Sequence, residues 1–196
     1  MVITDRLTFI HIPKTAGTSI ETWLQNNANG TQTVDFKKYD EAINEPWERR
    51  HSKQHTYPIT TPSMTVVRNP YDRQISLYKF CKLNSNHVGN ISFDDFTMRP
   101  AEFVLKAFER RGLNVFESQL EYCDPMPTYV LGYETLERDF SLIQTLFDCV
   151  EPLPYLNVSD KLDIVYTEEQ AETIYKRFEQ DFLTFNYDKE SYRGNN

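Results

Sequence analysis

His11-Ile12-Pro13-Lys14-Thr15-Ala16-Gly17-Thr18-Ser19 is the stretch on which the fold turns. Leu7-Thr8-Phe9-Ile10-His11-Ile12 is a short β-branched and aromatic run, which predicts a buried strand, and Pro13 ends it. From Thr18 to Asn27, Ile20, Trp23 and Leu24 fall on one face and predict a helix. A turn that leaves the C-terminal end of a strand and enters a helix aims several backbone N–H groups at one point. The helix dipole adds partial positive charge there. Gly17 permits close approach to a ligand, Lys14 supplies a full charge, and Thr15, Thr18 and Ser19 supply hydroxyls. Lys14, Thr15, Ala16, Gly17, Thr18 and Ser19 thus have the composition of a phosphate cradle. It is not a Walker A loop, because Lys14 precedes the only glycine. An ordinary strand–helix turn capped by a threonine has the same residues.

A second stretch repeats the pattern: Val66-Val67-Arg68-Asn69-Pro70-Tyr71-Asp72-Arg73-Gln74-Ile75-Ser76-Leu77-Tyr78. Met64 to Val67 reads as a strand, and Pro70 suits the first turn of a helix, where its missing N–H costs nothing. Arg68 stands at the strand end, where open α/β sheets bind ligands, and its planar fork suits bidentate contact with a phosphate. Ser76, two turns into the helix, is placed to reach the same anion. The competing reading pairs Arg68 with Asp72 as a structural ion pair.

Outward from these two motifs, strands and helices alternate. Thr33 to Phe36 is a short strand candidate and Thr128 to Gly132 a clear one. Ser92 caps a helical region that is interrupted near Pro100 and resumes through Arg110. Leu136 to Val150 reads as one amphipathic helix. Thr167-Glu168-Glu169-Gln170 is a capping box whose helix runs to about Phe182. This alternation predicts an α/β domain with a central parallel sheet covered on both faces by helices.

With 196 residues, 39% of them hydrophobic, the chain can build its own core without disulfides or a metal. Cys81, Cys123 and Cys149 are widely spaced and form no Cys-x-x-Cys pair, so free thiols in a reducing compartment are expected, and no metal site. Three Asn-x-Ser/Thr sequons, at Asn29, Asn90 and Asn157, are read as chance. The net charge is −8, unevenly spread: residues 1–100 carry 12 Lys/Arg against 10 Asp/Glu, and the remainder 9 against 19. An acidic chain argues against broad nucleic-acid binding, which needs a basic face. It leaves room for one small anionic ligand in the N-terminal half. No apolar stretch approaches the ~18 residues of a membrane span, and no signal-peptide core is present. A cytoplasmic protein without a membrane anchor, of microbial or viral origin, is expected.

Together the two motifs resemble those of sulfotransferases that use 3′-phosphoadenosine 5′-phosphosulfate (PAPS), in particular the carbohydrate sulfotransferases related to heparan and chondroitin O-sulfotransferases. Further landmarks occur in the family's order: Ser92 to Phe96, Tyr133 to Leu136 with Asp139-Phe140, Leu153 to Asn157, and Asp181-Phe182 through Asn186 to Asp188. The resemblance covers about residues 7–188. It implies a single P-loop-like sulfotransferase domain over 1–196. It implies that Lys14 to Ser19 bind the 5′-phosphosulfate and that Arg68 and Ser76 bind the 3′-phosphate. PAPS is then the co-substrate, adenosine 3′,5′-bisphosphate the product, and a hydroxyl-bearing acceptor such as a glycan the partner, with no metal required.

Sulfuryl transfer also needs a base for the acceptor hydroxyl. His11 lies on the first strand and reads as structural, and His87 in an Asn-rich loop reads as solvated. In the resembling family a His before a Ser or Ala, ahead of the 3′-phosphate strand, is the usual base. His51-Ser52 matches that pattern best, with His55 and Glu48 as runners-up. Lys14 and His51 are therefore the expected catalytic pair. Two other classes compete: a small-molecule kinase or other nucleotide-triphosphate-binding protein, and a non-catalytic nucleotide-binding module. The displaced Walker glycine and the lack of an evident Mg²⁺-binding acid after a second strand count against the kinase.

Overall fold

The computed structural model describes residues 1–28, 32–33, 59–83, 91–99, 117–156 and 164–194. The chain packs as two compact units, one made of residues 1–68 and 121–158, the other of 69–120 and 159–196.

The first unit holds a five-stranded sheet in the order β3-β1-β2-β4-β5. Strands β2 (Thr8–Ile10), β4 (Ser63–Val67) and β5 (Tyr129–Gly132) are parallel, with Phe9 opposite Met64 and Val66 opposite Leu131. Strand β1 (Val2–Ile3) runs antiparallel to β2 and to β3 (Gln32–Thr33). The expected parallel pairing holds for β2, β4 and β5, and the sheet as a whole is mixed because β1 runs against its neighbours. The cause is a tight reversal: Thr4 Oγ1 donates to Leu7 O and accepts from Leu7 N, both at 2.9 Å, turning the chain after only two strand residues. A two-residue strand shows no periodicity to detect. The expected strand from Thr33 is seen at Gln32–Thr33, and residues 34–36 lie outside the described residues.

Every residue of β4 is buried, as expected for a strand covered on both faces. One face is apolar: Phe9, Met64, Val66 and Leu131 pack on Ile20, Trp23 and Leu24 of α1 (Gly17–Asn27) and on Leu136, Phe140 and Ile143. Trp23 meets Phe140 edge-on at 5.1 Å, and its Nε1 donates to Glu151 O at 2.7 Å, so its one polar group is satisfied inside the core. On the other face Thr8 and Thr65 are wholly buried with paired hydroxyls. Thr65 Oγ1 donates to Ile10 O at 2.9 Å, and Thr8 Oγ1 lies 2.7 Å from Thr61 Oγ1.

The helix expected from Leu136 to Val150 is broken and shorter. After a 3₁₀ turn at Tyr133–Thr135 come α4 (Leu136–Asp139) and α5 (Ser141–Leu146). Ser141 Oγ donates to Arg138 O at 2.9 Å and Thr135 Oγ1 bonds the Asp139 carboxylate, local bonds that compete with the helical ladder. The end of α5 is a Schellman turn. Asp148 takes φ 51° while Cys149 N reaches Gln144 O and Asp148 N reaches Thr145 O.

The second unit is helical in its described parts: α2 (Pro70–Leu83), α3 (Phe93–Met98), α6 (Glu168–Arg177) and α7 (Glu179–Thr184), with a 3₁₀ turn at Ser191–Arg193. Pro70 opens α2 as expected, and Asn69 Oδ1 accepts from Tyr71 N at 3.0 Å. Ser92 caps α3 by accepting from Asp95 N, and the Thr167–Gln170 capping box forms on both sides. The helical stretch expected to resume through Arg110 lies outside the described residues. The helix expected to run to Phe182 is interrupted at Phe178, where φ falls to −118°. Tyr71, Tyr166, Phe178 and Phe182 form an aromatic core. Among the described residues no helix is long and apolar enough to cross a membrane.

Candidate functional site

The three parallel strands of the first unit end at Ile10, Val67 and Gly132, and the residues that follow them are His11 to Ser19, Arg68 and Tyr133. The carboxyl ends of parallel strands are where open α/β sheets bind ligands.

The turn after β2 is built with unusual backbone geometry. Lys14 has φ 71° and Ala16 has φ 66°, both left-handed without being glycine. Each such residue costs about 1–2 kcal/mol, so the surrounding structure must hold them. Thr15 is part of that hold: its side chain is wholly buried and its Oγ1 donates to Ile12 O at 2.9 Å. Left-handed residues in such a turn rotate successive N–H groups toward one side, forming an anion-binding concavity. Ala16 is the N-cap of α1 and brings no side-chain cap. Ser19 N and Ile20 N bond Ala16 O, so the amides of Gly17 and Thr18 precede the helical ladder.

His11 closes this turn from below. Its ring is 4% exposed, stacks on Phe9 at 5.8 Å, and places Nδ1 2.8 Å from Glu21 Oε1 on α1, which is equally buried. A Cβ on Gly17 would fall 1.9 Å from His11 Cδ2 and Nε2. Gly17 is thus required by the imidazole packed against it, a tighter reason than room for a ligand. The structural reading of His11 agrees with this geometry.

Arg68 is half-buried at the end of β4. Its Nη1 donates to Lys14 O at 3.3 Å, and its guanidinium lies 4.1 Å from the centroid of the Tyr133 ring. Arg68 therefore spans from the first turn to the residue after β5, with a cation–π contact on one side. The sequence motifs marked Arg68 but gave Tyr133 no role. Its position directly after a parallel strand is the signal that could have found it.

Of the remaining expected site residues, Thr18 is half-buried in the first turn of α1, and Ser19 is buried, with Oγ accepting from Leu156 N at 3.2 Å. That bond ties the Leu153–Leu156 stretch to the start of α1. Nearby in the chain, Tyr155 is exposed, and a hydrogen bond to the Glu137 carboxylate holds its phenol above the ordinary value. Ser76 is half-buried on α2 of the second unit. His51, His55 and Glu48 lie outside the described residues.

Lys14, the uncapped helix start and Arg68 make a cationic, N–H-rich site at the strand ends, suited to an anion carrying several oxygens. The sequence model of the sulfotransferase family matches residues 1–188 of the 196. The chain belongs to the sulfotransferase family, whose members transfer a sulfuryl group from a sulfate donor to a hydroxyl acceptor. No curated protein shows a significant match to the sequence.

Proposed function

We propose that this sulfotransferase uses PAPS as donor and the hydroxyl of a carbohydrate as acceptor. The observation that carries the reading is the Lys14–Gly17 turn: two left-handed residues, an uncapped helix start, and Arg68 bonded to the Lys14 backbone. Such a donor set fits the oxygens of a phosphate-bearing nucleotide. Lys14, Thr15, Ala16, Gly17, Thr18 and Ser19 hold the 5′-phosphosulfate. Because the Thr15 hydroxyl is engaged with Ile12 O, Thr15 contributes through its backbone. Arg68 and Ser76 take the 3′-phosphate, an assignment that rests on their shared motif.

PAPS, when bound, supplies a sulfuryl group attached to a phosphate leaving group. Lys14 neutralises charge as it builds on the departing phosphate, so its contribution is larger in the transition state than in the ground state. His51 accepts the proton of the acceptor hydroxyl as that oxygen bonds to sulfur. His55 and Glu48 are the alternative bases.

The test is a transfer assay with labelled PAPS over a panel of sugars, lipids and small alcohols. It is paired with thermal unfolding in adenosine 3′,5′-bisphosphate and in ATP. Label transfer to a sugar, with stabilisation by the bisphosphate alone, supports the reading. A ligand at 100 times its Kd stabilises by about 2.7 kcal/mol, well within reach of the measurement. Stabilisation by ATP alone would point to a kinase instead.

A further inference from the structure

We propose that His11, held by Glu21, is a positioning residue for sulfuryl transfer, and that it acts by fixing the backbone of the Lys14–Gly17 turn; this rests on the reading of that turn as the donor-phosphate cradle. The turn begins and ends on the same imidazole. His11 is its first residue, and Gly17, six positions later, packs so closely that a Cβ there would lie 1.9 Å from Cδ2 and Nε2 and 2.5 Å from Cε1. The ring is fixed on both other sides, by Phe9 at 5.8 Å and by Nδ1 donating to Glu21 Oε1 at 2.8 Å. Glu21 stands one turn into α1, so the bond ties the end of β2 to the helix that the turn enters. His11 and Glu21 are each only 4% exposed, so the pair sits beneath the turn and does not itself meet substrate.

The five residues between His11 and Gly17 include both left-handed positions, Lys14 at 71° and Ala16 at 66°. A non-glycine chain leaves that region when its ends are free to move. With the ends pinned to one ring and one carboxylate, the direction of the turn's N–H groups and the root of the Lys14 side chain are set before any ligand arrives. Electrostatic catalysis depends on such preorganisation, and a displacement of about 1 Å can cost 10²-fold.

The experiment compares His11→Ala, Gly17→Ala, the double variant, Glu21→Ala and Glu21→Gln in the full chain. The readouts are kcat and KM for PAPS, adenosine 3′,5′-bisphosphate affinity, and thermal unfolding. His11→Ala is expected to lower kcat by roughly 10- to 100-fold at a temperature where the variant is fully folded. Gly17→Ala is expected to lose at least as much alone but to add little on top of His11→Ala, because the ring it would strike is gone. Glu21→Ala is expected to fall in the same direction, with Glu21→Gln recovering most of the loss, since an amide oxygen still accepts from Nδ1. An unchanged kcat in folded His11→Ala, or in folded Glu21→Ala should His11→Ala fail to fold, overturns the inference while leaving the donor site standing. Additive losses for His11→Ala and Gly17→Ala overturn it as well. Wild-type protein that binds no adenosine 3′,5′-bisphosphate overturns the donor-site reading itself, and the inference with it.

Discussion

Arg68 Nη1 donates to the backbone oxygen of Lys14 at 3.3 Å. The cation at the end of β4 thus braces the residue whose side chain supplies the cation of the first turn. The two positive groups belong to one constellation at the strand ends, and substitutions at either should be read with the other in mind.

Lys14→Ala should leave the fold intact, because the side chain is half-buried on a turn and outside the apolar core. Transfer should fall about 10²- to 10³-fold, the usual cost of losing one electrostatic group aimed at developing charge. Steady-state rates with labelled donor check this, and an unchanged rate would remove Lys14 from the reaction.

Arg68→Ala should weaken adenosine 3′,5′-bisphosphate by roughly 2–5 kcal/mol, and the analogue lacking the 3′-phosphate much less. Calorimetry with both nucleotides decides it. Equal losses would mean that Arg68 serves only as the brace on Lys14 O and the partner of Tyr133.

His51→Ala should cost on the order of 10²–10⁴ in kcat with nucleotide affinity little changed. Wild-type rate should fall below about pH 6.5, where an ordinary histidine becomes protonated. Loss of that acid limb in His55→Ala or Glu48→Gln, with His51→Ala retaining it, would reassign the base within the same reaction.

Tyr71 predicts an alkaline limit on stability. It is 2% exposed, and its hydroxyl donates to Lys189 O at 2.8 Å. Burial, and then the nearby Glu190 carboxylate, push its pKa well above the ordinary value. The folded-state pKa is raised, so the contribution is whole below the unfolded value of about 10 and is lost as pH climbs above it toward the folded one. Denaturant midpoints should therefore drop above about pH 10 in the wild type and drop less in Tyr71→Phe, which should itself cost about 1 kcal/mol at neutral pH. Identical alkaline profiles would exclude Tyr71 as the source.

Asp181 is wholly buried and accepts from Ser118 Oγ, from Gln119 N at 2.8 Å and from Leu120 N at 2.9 Å. Asp181→Ala removes the acceptor of Gln119 N and leaves Leu120 N with Ser118 Oγ at 3.2 Å, and should cost about 1–3 kcal/mol, while Asp181→Asn keeps one acceptor and should cost less. Urea unfolding of the two variants ranks them, and equal costs would mean that the backbone donors find other partners.

The local sequence determined those parts whose signals act over a few residues. Pro70 opens α2, Ser92 and the Thr167–Gln170 box cap their helices, and the strand–turn–helix around Lys14 stands where its composition put it. Capping and turn chemistry are settled within one turn of chain, so they survive packing. The two motifs also carried the family, because their residue order is specific. Tertiary structure decided what depends on partners distant in sequence. The antiparallel pairing of β1 needed its neighbours to exist. The breaks at Phe140 and Phe178 override a continuous helical pattern. The need for glycine at position 17 comes from a ring six residues away, and Tyr133 reaches Arg68 only because β4 and β5 pair in parallel. Periodicity reports which face of a segment is apolar. It does not report which other segment lies against that face, and at this site that neighbour determines the chemistry.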